Sequence, residues 1–198
     1  SQIQVGKLRK VFPAMGTLFP MLNSIDGVLD CDLAAYCPID STLNVDLSAL
    51  SAVCSLDGKN MVLFTNETFH QIASKLRFKD RERNMIDHIS ADFVAKNHQI
   101  EILPFRLDMD RYSFIVGGQH SMDMSFNYHI DVLKSPIPFN FGLDVNGKVG
   151  DFKYNLGKTR YTILFNRPIQ HEEYRMSKQR RLDEEKVEIL REFRNVIP

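Results

Sequence analysis

The sequence has no excess of charge of either sign, since 25 Lys and Arg residues balance 25 Asp and Glu residues. Nucleic-acid-binding surfaces need clustered positive charge, so this balance argues against a nucleic-acid partner. No apolar run approaches the roughly 18 residues that a membrane-spanning helix requires. No secretory signal peptide is present, and the chain opens at Ser1 without an initiator Met. We therefore expect an excised piece of a longer protein whose targeting segment lies elsewhere.

Motifs that carry chemistry are also missing. Cys31, Cys37 and Cys54 form no C-x-x-C pair, which excludes zinc-ribbon and thioredoxin-type patterns. The six histidines show no H-x-H or H-x-x-x-H spacing, and no G-x-S-x-G nucleophile motif occurs. The Gly pair at 117–118 is not followed by Lys-Ser/Thr, so it does not resemble a phosphate loop. We expect no catalytic, cofactor-binding or metal-binding residues and a protein that is not an enzyme.

Two weaker chemical candidates have ordinary structural explanations. Asp108 and Asp110 would share a strand face and could bind a cation or exchange protons, but they equally suit a polar turn between strands. His129 lies on the polar face of a predicted strand, where a solvated or hydrogen-bonded side chain is typical. We favour the structural explanation for both.

What the sequence does contain is repeated period-two alternation, the mark of strands with one apolar face. The longest case covers 122–132, where apolar and polar residues alternate throughout. Similar sets lie near 29–33, 43–47, 52–56, 89–95, 103–109, 112–116, 139–145, 152–156 and 161–165. We expect turns at Asp57-Gly58, at Asn97-His98 and after Leu156, and an edge or bulge at Pro104.

Two helices interrupt this pattern. Asn66 can cap a short helix near 67–76, and a highly charged helix is expected from about Glu172 to Arg194. The charged helix has a thin apolar stripe, so it is either a solvated tail or a docking helix. The fold class is therefore mainly β with minor α: a long curved antiparallel meander, groove-like or sandwich-like. We expect a β domain over 1–165 and a charged helical tail over 166–198.

Several stretches resemble the C-terminal region of the AsmA family of Gram-negative envelope proteins. They are MDRY at 109–112, VGGQH at 116–120, DMSFNYHIDVLKSP at 123–136, DFKY at 151–154 and GK at 157–158, with weaker likeness at 47–50, 57–63, 67–69 and 86–87. The resemblance covers roughly 24–160. The order of these motifs along the chain carries the resemblance, and the charged helix after Gln170 falls outside it.

The resemblance implies a function and a location. AsmA-like proteins are anchored in the inner membrane by an N-terminal helix and extend into the periplasm. Together with TamB-like proteins, they are thought to hold phospholipid acyl chains in an apolar β-groove and to support outer-membrane biogenesis by lipid transport. The expected partners are phospholipid, the remainder of the chain itself or other envelope proteins, and the membrane through a missing anchor.

The alternating strands suggest which side chains would face such a groove. The candidates are Phe114, Met122, Met124, Phe126, Tyr128, Ile130, Phe139 and Phe141. Met and Phe are large, and Met adapts to irregular apolar ligands. The same residues could instead fill the core of a closed, lipid-free module that serves structure or protein interaction.

Overall fold

Strand residues dominate the molecule and form one sheet. The computed structural model describes residues 2–11, 25–39, 46–64, 83–109, 112–123, 125–148 and 151–196. The described strands are β1 (Gln2–Gln4), β2 (Ile25–Asp26), β3 (Val28–Tyr36), β4 (Ser51–Phe64), β5 (Arg83–Lys96), β6 (Gln99–Met109), β7 (Tyr112–Ser121), β8 (Ser125–Lys134), β9 (Phe141–Lys148) and β10 (Asp151–Gly157). The described helices are α1 (Val5–Val11), a 3₁₀ turn (Leu47–Ala49), α2 (Thr162–Asn166) and α3 (Pro168–Val196).

The sheet is an open antiparallel meander with ten strands. Its order is β1, β3, β4 and then β5 to β10 in sequence, and β2 pairs with the far end of β4. The predicted mainly-β class, the meander and the charged C-terminal helix are confirmed. The described strands belong to this single sheet, in agreement with the groove-like alternative. The helix predicted near 67–76 lies outside the described residues.

The hairpin predicted at Asn97-His98 is confirmed. Both residues have positive φ, at 53° and 65°, and Lys96 pairs with Gln99. Two consecutive positive φ angles are what a two-residue hairpin turn requires. Met109 pairs with Tyr112 where β6 ends and β7 begins, and residues 110 and 111 lie outside the described residues.

The turn predicted at Asp57-Gly58 is wrong. β4 continues through it and stays in register with β5, from Ala52 opposite Ala95 to Phe64 opposite Arg83. Asn60, at φ 51°, distorts the strand without reversing it. After this distortion, Met61 faces the same apolar cluster as Leu56. A local backbone kink, rather than a chain reversal, therefore accounts for the turn-like residues.

β6 carries one more residue than its neighbours. Two β6 residues, Leu103 and Pro104, stand opposite the single residue Gly117 of β7. This bulge, which Pro104 predicted, shifts the alternation of the strand. Leu103 consequently lies on one face of the sheet, whereas Phe105 and Met109 lie on the other. The prediction that all three share a face is wrong for Leu103.

Two further strand predictions need correction. Met122 is not in the strand with Phe126, because β7 ends at Ser121 and the chain turns before β8 begins. The alternating set at 161–165 is not a strand, because residues Thr162–Asn166 form α2. Phe165 packs there against Tyr174, with ring centroids 5.7 Å apart. Period-two alternation over only five residues did not separate a strand from one helical turn.

Each face of the sheet has its own apolar cluster. The larger cluster contains buried residues from β2 to β9 and Val5 of α1. We call the side of the sheet that carries it the apolar face. The smaller cluster lies on the opposite side, which we call the helix face. It joins Leu182 and Ile189 of α3 to the buried sheet residues Val53, Val94 and Leu103.

Helix α3 crosses the helix face from β6 to β3. The Tyr174 hydroxyl donates to the Pro104 carbonyl over 2.7 Å, and Arg181 contacts both carboxylate oxygens of Glu101. Further ion pairs join Lys178 to Asp92, Lys186 to Asp32, and Lys96 to Glu185 and Glu188. The interpretation of this helix as a solvated tail is wrong, because Leu182 and Ile189 are buried against the sheet and five of the helix's charged side chains form ion pairs with it.

We expect Leu182→Ala to lower the free energy of unfolding by about 3 kcal/mol, since it removes a buried side chain and leaves a cavity between α3 and the sheet. Leu182 is 3% exposed, whereas Leu190 on the outer side of the same helix is 56% exposed. Leu190→Ala is the matched control and should change stability by less than about 0.5 kcal/mol. Urea unfolding followed by circular dichroism measures both. Equal losses would contradict the packing described for α3.

Candidate functional site

The apolar face brings together five of the eight predicted groove residues. Phe114 pairs across β7 and β8 with Val132, which pairs in turn with Phe141 of β9. Further along β8, Ile130 pairs with Leu143 and Tyr128 with Val145. Directly opposed residues of antiparallel strands point to the same side. Phe114, Phe126, Tyr128, Ile130 and Phe141 therefore belong to one surface.

Three of the predicted residues stand apart from this ladder. Met122 sits in the turn after β7, is half-buried and packs against the cluster from there. Phe139 precedes β9, is 65% exposed and contacts Phe141, with ring centroids 6.2 Å apart. Met124 lies outside the described residues.

The apolar face is not buried evenly. Phe114 of β7 and Phe141 and Leu143 of β9 are buried, whereas Phe126 and Ile130 of β8 and Phe152 of β10 are only partly buried. On β10, Tyr154 and Leu156 are exposed, although they pair with the buried Val145 and Leu143. Leu156 reaches 69% exposure. The apolar face therefore reaches solvent at the β9–β10 edge.

Three aromatic side chains of β8 and β10 pack together on the apolar face. Phe126 stacks on Tyr128, with ring centroids 5.5 Å apart, and contacts Phe152 at 6.2 Å. The Tyr128 hydroxyl lies 2.6 Å from Nδ1 of the buried His120. Burial raises the pKa of Tyr128, so the phenol stays protonated. This hydrogen bond satisfies the polar ends of both side chains, and their rings add to the apolar surface.

The opposite side of β8 carries a buried polar cluster. His129 is 2% exposed, and its two ring nitrogens lie 2.7 Å from Asp144 and 2.8 Å from Asp131. Arg160 also contacts Asp144, over 2.8 Å. Each ring nitrogen of His129 therefore has a carboxylate oxygen within hydrogen-bond distance, and the Arg160 guanidinium provides a positive charge beside Asp144.

Asp131 is fully buried and accepts hydrogen bonds from the segment that follows β10. Its Oδ1 accepts from the Arg160 backbone N–H over 2.9 Å. Its Oδ2 accepts from the N–H groups of Tyr161 and Thr162, both over 2.7 Å, and from the Thr162 hydroxyl over 2.8 Å. No local side chain caps α2. Asp131 supplies that cap from β8, at the positive end of the helix.

Small residues let this segment approach the sheet. A Cβ on Gly142 would lie 2.2 Å from the Lys158 carbonyl oxygen and 2.7 Å from the His129 ring. A Cβ on Gly117 would lie 3.1 Å from the Tyr161 ring. The chain after β10 therefore crosses the sheet directly over β9 and β8, and a side chain at Gly142 would block its path.

His129 was predicted to lie on a polar strand face, but the buried cluster around it was not predicted. The sequence spacing of the cluster residues indicates part of it. His129 and Asp131 are two residues apart on β8 and must share a side, and Asp144 recurs on the polar side of β9. The alternation could not show that residues 158–162 lie over these side chains. The hydrogen bonds of Asp131 in this cluster join β8 to the start of α2.

Comparisons with protein-family models, with curated proteins and with solved structures found no match. In the described part of the chain, no helix has both the length and the apolar character needed to cross a membrane. The described residues also include no group of three or more His, Cys, Asp and Glu side chains arranged to hold a metal ion.

We expect Asp131→Asn to destabilise the protein by about 3 kcal/mol, because an amide offers one acceptor oxygen and two N–H donors where four donors from residues 160–162 converge. Backbone amides of 160–166 should exchange with deuterium faster than in the parent protein. Asp151→Asn, on the exposed edge strand, is the control and should leave both readouts unchanged. Unaltered exchange at 160–166 would show that Asp131 does not hold this segment.

Proposed function

We propose that this chain is a non-enzymatic periplasmic domain of an AsmA-like envelope protein that is anchored to the inner membrane elsewhere in its sequence. In this proposal it binds phospholipid acyl chains along the apolar face and contributes to lipid transport for outer-membrane biogenesis. The family likeness motivates the envelope location. The physical support comes from the sheet itself.

The observation that carries the proposal is an open sheet whose apolar side runs from a buried interior to an exposed edge. A one-sided sheet must bury its apolar side against something. That side is incompletely covered by the described residues at Phe126 and Ile130 of β8 and along β10, and Leu156, Tyr154 and Phe139 are exposed. Such contiguous apolar surface is typical of ligand or partner sites. A hydrocarbon chain can cover it without needing polar partners.

The dimensions also suit an acyl chain. Adjacent strands lie about 4.8 Å apart, so the path from β7 to β10 spans roughly 15 Å. One leaflet of a bilayer contributes roughly half of the 30 Å hydrocarbon thickness, which is a similar length. The stacked rings of Phe126 and Tyr128 lie within this span, and the headgroup would remain in water beyond β10.

The chain contains no tryptophan, so single-Trp variants report on lipid contact at chosen positions. We expect Phe139→Trp fluorescence to be quenched by phospholipid that carries bromine on its acyl chains, because this side chain borders the exposed end of the apolar face. Leu190→Trp, on the outer side of α3, is the matched control, and its fluorescence should change little. Both positions are exposed, so neither substitution should disturb folding.

Quenching is measured with brominated and unbrominated phospholipid at equal concentration, which separates contact from a change in environment. Adding Leu156→Asp to the Phe139→Trp variant should weaken binding roughly thirtyfold, since a charge replaces about 2 kcal/mol of apolar burial. Equal quenching at positions 139 and 190 would indicate general adsorption to lipid. No quenching at position 139 would refute acyl-chain binding at this edge.

A second candidate function is a structural or protein-interaction module without lipid. The observation that favours it is the edge position of β10, which pairs only with β9 among the described strands. An exposed strand edge offers backbone donors and acceptors to an added strand. The partner would be the rest of the protein's own chain or another envelope protein. Sedimentation that shows association sensitive to Leu156→Asp, with no quenching by brominated lipid, would favour this alternative.

A further inference from the structure

Two of the three cysteines are neighbours on adjacent strands. Cys31 of β3 pairs with Leu56 of β4, and Cys54 pairs with Leu33, so the two cysteines are diagonal neighbours. Both side chains face the apolar cluster, and their sulfur atoms are 3.9 Å apart. Both are free thiols. The third, Cys37, lies after β3, where its thiol donates to the Asp46 carbonyl over 3.2 Å.

The environments of the pair differ in a way that assigns them different roles. Cys54 is buried, whereas Cys31 is partly exposed. A hydrogen bond from the Cys54 thiol stabilises the Cys31 thiolate and lowers the pKa of Cys31 to about 7. The same contact, together with burial, raises the pKa of Cys54. The negative charge therefore belongs on the sulfur that solvent can reach, and the proton stays on the buried one.

We propose that Cys31 and Cys54 are a redox-active pair that forms a reversible disulfide between β3 and β4, with Cys31 as the attacking thiol and Cys54 as the resolving thiol. The oxidant is an external disulfide, either a small-molecule disulfide or that of a thiol oxidase. This inference is independent of lipid binding, because it concerns the chain's own sulfur chemistry.

The reaction balances in two exchange steps. The Cys31 thiolate attacks one sulfur of the external disulfide, forms a mixed disulfide and releases the other sulfur as a thiolate. The Cys54 thiol then loses its proton and attacks the Cys31 sulfur, which releases the second half of the donor as a thiolate. The two protein thiols lose two electrons and two protons in total, and the external disulfide becomes two thiols.

Geometry permits this bond and also limits its stability. The sulfur atoms must approach from 3.9 Å to about 2.05 Å. Diagonal neighbours on antiparallel strands typically lie roughly 7–8 Å apart, which is more than an unstrained disulfide spans, so the bond requires side-chain rotation and a local shift of the two strands toward each other. β3 and β4 are held in fixed register by eight residue pairs from Leu29–Gly58 to Tyr36–Ser51. A diagonal disulfide in such a pair is strained, and strained disulfides are reduced readily. The bond therefore suits reversible oxidation better than permanent cross-linking.

The test uses the full chain, fully reduced, and glutathione disulfide as the oxidant at pH 7. Thiols are then counted under denaturing conditions, and disulfides are located by peptide mapping. We expect the wild-type protein to lose two of its three thiols, with Cys31 bonded to Cys54. Cys37→Ser is the matched control, leaves the pair intact and should lose both remaining thiols at the same rate.

Variants of the pair separate the two roles. Cys54→Ala should stop at a glutathione mixed disulfide on Cys31, whereas Cys31→Ala should leave Cys54 unmodified in the folded protein. Retention of all three thiols, a bond mapped to Cys37, or accumulation of the mixed disulfide on Cys54 would overturn the proposal. Because Cys37→Ser does not alter the pair, the test remains decisive even if a variant at position 31 or 54 misfolds.

A pH profile adds an independent readout. Alkylation of Cys31 by iodoacetamide should rise with a midpoint near pH 7 in the Cys37→Ser protein, since the lowered pKa allows the thiolate to form at lower pH. In the Cys37→Ser, Cys54→Ala double variant the midpoint should move upward, because the donor to the thiolate is gone. At pH 7 the rate should then fall roughly threefold to tenfold. An unchanged midpoint would show that Cys54 does not tune Cys31.

Discussion

The Asp131 carboxylate holds the helix face of this molecule together. β10 ends at one edge of the sheet, whereas α3 lies over β3 to β6, so the chain must cross the sheet between them. It crosses where three consecutive N–H groups, from Arg160 to Thr162, point at one buried carboxylate. That contact starts α2 and directs the chain toward Tyr174 and Arg181. If the Asp131 carboxylate were removed, all of these buried donors would lose their acceptor together, and each buried unsatisfied group is costly. We therefore expect this chain crossing to form or to be lost as a unit.

The sequence predicted strands well because a period of two follows from strand geometry alone. Ala91, Phe93 and Ala95 share a face as expected, and Asn97-His98 forms the expected turn because both residues adopt positive φ angles. Features that depend on contacts between distant parts of the chain could not be predicted in this way. The reading of 161–165 as a strand failed because an acceptor thirty residues away caps a helix there. The burial of His129 was missed because a distant segment covers it. Local pattern cannot report which surfaces a later part of the chain will cover.

The two faces of the sheet bury their apolar side chains in different ways. On the helix face, two of the described apolar side chains of α3, Leu182 and Ile189, are buried, and ion pairs to the sheet lie around them. On the apolar face, burial comes from large side chains packed across neighbouring strands, and it is incomplete at β10. Tyr154 and Leu156 remain exposed there, so burying them against a ligand or partner would be favourable. Five of the eight groove candidates lie on this surface, and their relation to lipid is a proposal that depends on it.

The bulge at Leu103 and Pro104 lets one strand contribute to two cores. Because a single additional residue changes which side the following side chains occupy, β6 supplies Leu103 to the helix and Phe105 to the opposite cluster. The count of residues in β6 is therefore more constrained than their identity. Homologous chains should accept substitutions among apolar residues in this strand. They should tolerate neither insertion nor deletion, because a change of one residue would move every later side chain of the strand to the opposite face of the sheet.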